Sequence, residues 1–177
     1  YKEIVLERKS PGLVVGLSGT DSIVAFLAAV KAFEKIGLAN RVVGIHYGKK
    51  LPESFEHESE KFPYWFQTEI IPWLKEQAPK SEIIVNSEVD STKDGLRWGS
   101  LLDWSVIEDP ATGSMRAPEN QYWVVGTHNR TERELMTYSN MSMAASIQFM
   151  TDIWKTEILD ISRFLGVPKI AIEKSTQ

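Results

Sequence analysis

The sequence predicts an α/β protein: a doubly wound, mostly parallel sheet with helices on both faces. Three observations carry that prediction. Short apolar runs without polar alternation recur along the chain, as in strands covered on both sides. Between them the apolar spacing changes to that of helices, which implies βαβ units. Two of the runs, LVVGL at 13–17 and YWVVG at 122–126, open directly into small and hydroxyl residues. In parallel sheets ligands sit at the carboxyl ends of strands, where the strand order reverses.

Leu13 to Leu17 is the first expected strand. From Asp21 the residues Ile23, Phe26, Leu27, Val30 and Phe33 recur at helical spacing until Gly37, which reads as a helix C-cap. RVVGIHYG at 41–48 is a second strand, and 53–77 reads as helical, interrupted by Pro63 and Pro72. SEIIVNSEV at 81–89 is a third strand, and Leu96 to Val106 a further amphipathic piece. The polar, Pro- and Gly-containing stretch 108–121 reads as a surface loop or a lid. QYWVVGTHN at 121–129 is the fourth strand with its polar outlet, and a helix follows from Thr131. A last strong helix is expected from Asp152 to Leu165, with Trp154, Ile158, Ile161 and Leu165 as one apolar stripe and GVP at 166–168 ending it.

With 177 residues, 42% of them hydrophobic, the chain is long enough for one sizeable core. Its net charge of -4 and pI near 5.5 call for neither a nucleic-acid nor a membrane-surface partner. The absence of cysteine excludes disulfides and thiolate chemistry and agrees with a cytoplasmic location. No apolar run approaches the roughly 20 residues of a membrane span, and the opening YKEIVLERKS does not read as a signal peptide. No internal repeat or low-complexity tract is present.

The stretch LSGTDS at 17–22 sits where the first strand passes into the first helix. A helix start exposes unpaired N–H groups and the positive end of the helix dipole, a natural anion site. Gly19 leaves the backbone approachable, and Ser18, Thr20 and Ser22 add hydroxyls. Asp21 repels phosphate unless a divalent cation such as Mg²⁺ stands between them. The competing reading is a plain helix cap by Asp21 or Thr20. Neither GxxxxGK[ST] nor GxGxxG occurs.

GLSGTDSIVAFLAAV resembles the PP-loop of the N-type ATP pyrophosphatases, usually SGGxDS. Within that superfamily, VVGTHNRTE at 124–132 and DIWKTEILDISRFLGVPKIAIEK at 152–174 resemble the GTxNxSE and DLxKTxVxxLAxxLGVPxxIIxK segments of ammonia-dependent NAD synthetases. The three motifs span most of the chain in the family order. The resemblance implies an adenine nucleotide alpha hydrolase-like, Rossmann-like fold, with 1–177 a single domain lacking the family's C-terminal part. It implies an ATP-dependent ligase that adenylates the nicotinate carboxylate of deamido-NAD, releases pyrophosphate and lets ammonia displace AMP, giving NAD. It also implies a homodimer, to whose interface the apolar segment 62–74 is a candidate contributor.

By the same resemblance, Ser18, Gly19, Thr20 and Ser22 hold the pyrophosphate part of ATP, Thr127 touches ATP, and Lys155 binds phosphate. Asp21 and Glu132 bind Mg²⁺, Asp21 and Lys155 are the expected catalytic residues, and Arg97 matches the family's acid-binding arginine more loosely. Each residue has a plainer reading. Glu132 suits the first turn of any helix, Lys155 can snorkel past the apolar stripe to water, and Arg97 can be a surface residue. His46 and His128 lack metal-ligand spacing and read as hydrogen-bonded loop or core histidines. Trp98, Trp104, Trp123 and Trp154 read as core aromatics, with purine stacking the alternative.

The chain departs from the family at three places. SGTDS is one residue shorter than the family loop, and an error near 1 Å in such a cradle costs about 100-fold in rate. The family's KYGDGxxD segment reads YSNMSMAASIQ at 138–148, without its lysine and aspartates and with Asn140 and Ser146 near their places. The family continues beyond KSTQ. The nucleotide side is thus kept and the acid-substrate side rewritten. Two alternatives to NAD synthesis follow: a PP-loop enzyme adenylating another substrate, with RNA disfavoured by the low positive charge, or a non-catalytic ATP-binding module.

Overall fold

Four strands, β1 (Gly12–Leu17), β2 (Val42–Tyr47), β3 (Glu82–Asn86) and β4 (Tyr122–Val125), pair in parallel in the order β3-β2-β1-β4. They come from a computed structural model, which describes residues 12–90, 92–106, 112–114 and 120–176. The chain steps outward from β1 to β3 and then crosses back to lay β4 on the other side of β1. The carboxyl ends of β1 and β4 therefore flank a point of reversal, where an open parallel sheet leaves a crevice.

Strand side chains alternate between faces, and the alternation divides the core. Leu13, Val15 and Leu17 of β1, with Val125 of β4, point to one side. Val14, Val43, Ile45 and Val124 point to the other. The first side is covered by four helices: α1 (Thr20–Glu34), α2 (Ile71–Gln77), then, after the two introduced below, α5 (Lys155–Phe164) and α6 (Lys169–Lys174). They bring Ile23, Phe26, Val30, Leu74, Ile158 and Ala171, all buried, against the sheet. The second side is covered by α3 (Asp94–Leu102), which contributes Leu101 with Trp98 and Leu102 beside it. The remaining helix, α4 (Arg130–Leu135), follows β4.

Gly44 shows how tightly α1 packs. A Cβ there would lie 2.6 Å from Leu17 Cδ1 and 3.1 Å from Phe26 Cε2, so any larger residue pushes α1 off the sheet. Both long helices of this layer end by the same device. Gly37 takes φ +76°, its N–H reaches Glu34 O at 3.0 Å and Leu38 N–H reaches Phe33 O at 2.9 Å. Gly166 repeats the pattern at φ +72°, with Val167 N–H on Ser162 O at 3.0 Å.

The expected four strands are present, with β3 ending at Asn86, three residues before its expected limit at 89. The segment 53–77 is helical but uneven: a 3₁₀ stretch over Glu58–Tyr64 containing Pro63, a π turn over Phe66–Ile70, then α2. Pro72 follows directly on the π turn, so the break in the regular hydrogen-bond ladder falls where proline lacks its N–H. Phe66, Ile70, Ile71 and Leu74 of this segment are buried in the core, which leaves Phe62, 61% exposed and under the Lys174 ammonium at 3.9 Å, as its outward apolar residue. Most of the 108–121 loop lies outside the described residues.

Trp154 corrects the apolar stripe. The last long helix begins at Lys155, not at Asp152, and Trp154 is its N-cap with extended backbone. At that position its ring leaves the helical face: it is 40% exposed and lies beneath the Arg130 guanidinium, 4.4 Å from the ring centroid. Ile153 takes its place against the core, beside Ile158, Ile161 and Leu165. Trp98, Trp104 and Trp123 do pack against the buried clusters. Among the described residues no helix is long and apolar enough to cross a membrane.

Candidate active site

A cleft of about 320 Å³ opens at the carboxyl ends of β1 and β4. Gly16, Leu17, Ser18, Gly19, Asp21 and Ser22 form its floor and one rim, and Val125, Thr127, His128 and Glu132 continue that rim from β4. The opposite wall comes from Asp94, Arg97, Trp98 and Leu101 of α3 and from Thr137, Tyr138, Ser139 and Ser142. Of the residues singled out in the sequence, Ser18, Gly19, Asp21, Ser22, Arg97, Thr127 and Glu132 line one cleft. Thr20 and Lys155 do not line it.

The turn after β1 is folded around Ser22. The Ser22 hydroxyl accepts the Ser18 N–H at 2.8 Å and the Gly19 N–H at 3.0 Å, and donates to Gly19 O at 2.7 Å. Ser22 thus acts as a brace for the turn, 2% exposed, with its hydroxyl already engaged. Gly19 is the N-cap of α1 in extended backbone, φ -162°, a conformation open to any residue. A Cβ on it would meet only Ser175 Oγ, at 3.9 Å. What glycine provides here is therefore room above the turn. The first intrahelical bond runs from Ile23 N–H to Gly19 O at 3.0 Å, so the N–H groups of Thr20, Asp21 and Ser22 are the donors that the helix start offers an anion. The Thr20 side chain turns away: it is fully buried and its hydroxyl bonds that of Ser175, near the end of α6.

Asp21, one residue into α1, is the hub of the site. Its Oδ1 accepts the side-chain amide of Asn129 at 2.7 Å. Its Oδ2 is bonded by the ammonium of Lys155, the first residue of α5. These contacts join residues 108 and 134 positions apart in the chain. Asn129 is the N-cap of α4 and is fully buried. Its Oδ1 accepts the Glu132 N–H at 3.0 Å, and its own N–H donates to Glu132 Oε2 at 3.0 Å, a reciprocal capping box. Lys155 N–H is satisfied by Thr131 Oγ1 at 3.1 Å, which ties the start of α5 to α4. Three helix starts thus converge on one carboxylate. The capping reading of Glu132 is realised, and Glu132 nevertheless faces the cleft.

On the far wall Asp94 accepts Arg97 Nη2 at 2.7 Å through one oxygen and the Ser139 hydroxyl through the other. It thereby ties α3 to the 138–148 segment. That segment forms a 3₁₀ turn over Asn140–Ala144, capped by Ser139. Ser139 and Ser142 reach the cleft, whereas Asn140 is exposed. Arg97 Nε is buried with no acceptor among the described residues. A carboxylate seated there would answer it. The Tyr138 ring stacks on His128 at 5.1 Å between centroids.

Burial lowers the pKa of both histidines near the cleft. Desolvation lowers the pKa of His128, with Glu132 opposing and Arg133 adding to the effect. His46 lies beneath the floor: burial lowers its pKa against the opposing bond from its Nδ1–H to Leu17 O at 2.9 Å, and its ring stacks on Phe66 at 4.4 Å. Burial likewise pushes the Tyr47 phenol up.

The donor set fits a hard divalent cation. Asp21 and Glu132 line the same cleft, the Asp21 carboxylate held by the Asn129 side-chain amide and the Glu132 carboxylate by the Asn129 main-chain N–H, and Glu132 Oε1 has no donor among the described residues. A second acidic group close enough to share an ion, Glu56, His57 and Glu60, is exposed where the chain enters the 3₁₀ stretch after β2, and its Glu60 carboxylate already accepts the Glu56 N–H at 3.0 Å.

No protein-family model and no curated protein matches the sequence. Solved structures do resemble the fold. The NH3-dependent NAD synthetase from Campylobacter jejuni subsp. jejuni NCTC 11168, in complex with the nitrate ion, superposes with a TM-score of 0.61 at 21% identity, over 98% of this chain and 72% of that one. A glutamine-dependent NAD+ synthetase from Acinetobacter baumannii, in complex with ADP, gives 0.59 at 15% identity over 98% of this chain and 33% of that one. NMN synthetase from Francisella tularensis gives 0.54 at 18% identity over 97% and 68%. The chain shares the α/β fold of these synthetases.

Proposed function

We propose that this chain is an ATP-utilising enzyme of the NAD-synthetase type, which activates a carboxylate as its acyl-adenylate. The observation that carries the reading is the convergence of Asp21, Asn129, Glu132 and Lys155 at the reversal point of the sheet. The likeness to an ADP complex and to two NAD synthetases supports a nucleotide at this fold. Asp21 and Glu132 are the groups that would hold Mg²⁺, which when bound offsets the negative charge of the triphosphate.

In this reading the N–H groups of Thr20, Asp21 and Ser22, with Ser18 and Thr127, hold the β- and γ-phosphates. An oxygen of the substrate carboxylate attacks the α-phosphorus. The bond from that phosphorus to the bridging oxygen breaks, and pyrophosphate leaves with the electron pair. Lys155 brings an ammonium to the mouth and stabilises the departing charge. Arg97 orients the carboxylate across the cleft. Ammonia then attacks the acyl carbon, AMP leaves, and the nitrogen loses a proton, giving the amide. In this reading the working assembly is a homodimer in the cytoplasm, with deamido-NAD the first acid to try.

The test is pyrophosphate release from Mg²⁺-ATP, screened against deamido-NAD and a panel of other carboxylates, with and without ammonia. Acid-dependent pyrophosphate, followed by ammonia-dependent AMP, supports the ligase; release with another acid alone supports a PP-loop enzyme of different substrate. One observation favours the binding-module reading: the Ser18 and Gly19 amides are turned onto Ser22 rather than toward the cleft. Nucleotide binding without pyrophosphate release with any acid supports that reading.

A further inference from the structure

We infer that Asn129 is a positioning residue that fixes the mutual placement of Asp21 and Glu132, and so sets the affinity of the site for a metal-bound nucleotide. The inference rests on the nucleotide reading above and adds a residue to which no role is assigned from sequence. Asn129 is fully buried, and every polar group of its side chain that the structure engages is spent on one of the two acids. Its Oδ1 faces the Glu132 N–H at 3.0 Å, so its amide nitrogen must face Asp21 Oδ1, at 2.7 Å. A main-chain N–H can only donate, and a carboxylate only accept, so the two neighbours fix the orientation of the amide. The main-chain N–H of Asn129 holds Glu132 Oε2 at 3.0 Å. One residue thus fastens a carboxylate on α1 to a carboxylate on α4.

The local and the long-range roles separate chemically. Capping α4 needs only a short side-chain acceptor, which serine supplies as well as asparagine. Holding Asp21 needs a donor on a longer arm, which serine lacks. With that donor gone, Lys155 is the one remaining hydrogen-bond partner of the Asp21 carboxylate among the described residues and draws it toward α5. Groups that orient metal ligands are typically worth about 10- to 100-fold in metal affinity. Asn129→Asp gives the opposite perturbation: it keeps the cap and the shape but sets a carboxylate oxygen against Asp21.

The experiment is calorimetric titration of the wild-type chain, Asn129→Ser, Asn129→Asp and Asn129→Ala with ATP, in Mg²⁺ and in chelator, alongside thermal melts of the ligand-free proteins. The expected result is that Asn129→Ser melts within about 2 °C of wild type, as a replaced cap should. It binds Mg²⁺-ATP about 10-fold more weakly, while its affinity for metal-free ATP is unchanged. Asn129→Asp loses at least as much Mg²⁺-ATP affinity. Asn129→Ala loses the cap as well and melts lower than either. Equal Mg²⁺-ATP affinity in wild type and Asn129→Ser overturns the inference, as does a parallel loss with and without metal, which marks a structural role only. A wild-type chain that takes up no nucleotide in either buffer overturns the reading of the site itself and the inference with it.

Discussion

At one wall of the cleft four residues stand at the starts of helices: Asp21 and Glu132 line it, and Asn129 and Lys155 lie behind it, bonded to Asp21. Along the other, Asp94 and Arg97 of α3 reach across to Ser139 in an irregular segment, and the join is a side-chain carboxylate. The first wall is pre-arranged by caps: Asn129 and Glu132 satisfy each other's N–H groups, and Thr131 satisfies that of Lys155. On the second, Arg97 Nε is buried with no acceptor among the described residues. A site with one rigid and one adaptable wall holds a common ligand on the first and chooses a particular one on the second. In the proposed reading ATP lies at the helix starts and the acid against α3 and 137–142.

The largest expected effect sharpens that division. Asp21→Ala removes a proposed metal ligand and frees Lys155 at once. Affinity for Mg²⁺-ATP falls by about 100-fold or more, while affinity for metal-free ATP stays level or rises, because an ammonium formerly paired with Asp21 becomes available to phosphate. Calorimetry in Mg²⁺ and in chelator reads both. Equal losses in the two buffers break the comparison.

Glu132→Gln comes next. Glutamine keeps the capping box, so the melting temperature stays within a few degrees, but the charge is gone and Mg²⁺-ATP affinity falls about 10- to 100-fold. Arg97→Ala acts on the other wall. It leaves Mg²⁺-ATP affinity within about 2-fold and lowers acid-dependent pyrophosphate release by about 10-fold or more, the scale of one lost charge-assisted hydrogen bond. A variant that loses both in proportion would join the two walls into one site.

Smaller effects belong to residues set behind the walls. Thr20→Ala breaks the bond to Ser175 and costs about 1 kcal/mol of stability, with Mg²⁺-ATP affinity changed less than about 3-fold. His46 supplies a pH test. Its folded pKa is lowered, so the unfolded chain binds the proton more readily, and the stability that neutral His46 contributes is complete above its ordinary pKa of about 6.5. That contribution is lost as pH falls below this value. The fall in melting temperature between pH 7 and pH 5 should be shallower in His46→Gln than in wild type.

How much of this was legible in sequence follows the same division. Strands β1 and β4 and their polar outlets could be read because burial on both faces writes an apolar run and a helix start writes Ser, Thr, Asp or Asn. Asp21, Thr127, Glu132 and Ser18 could be placed at one mouth for that reason. Thr20 and Ser22 could not be told apart from Ser18 by type, since only the turn decides that Ser22 braces it and Thr20 faces α6. Asn129 was visible as part of GTHN, but its partner lies 108 positions away, and no local spacing encodes that contact. Trp154 was misplaced by one turn because its periodicity continues past the cap, where backbone geometry, not spacing, decides which way a side chain points. The far wall was the least legible, for a 3₁₀ turn held by serines and one aspartate carries no period at all.

The central assignment is most directly tested by a crystal structure of the chain with Mg²⁺ and a non-hydrolysable ATP analogue. The account predicts the triphosphate over Gly19 at the start of α1, the cation between Asp21 and Glu132, and the Lys155 ammonium turned from Asp21 toward phosphate. Nucleotide bound elsewhere, with the Asp21–Lys155 pair intact and nothing seated over Gly19, would contradict it.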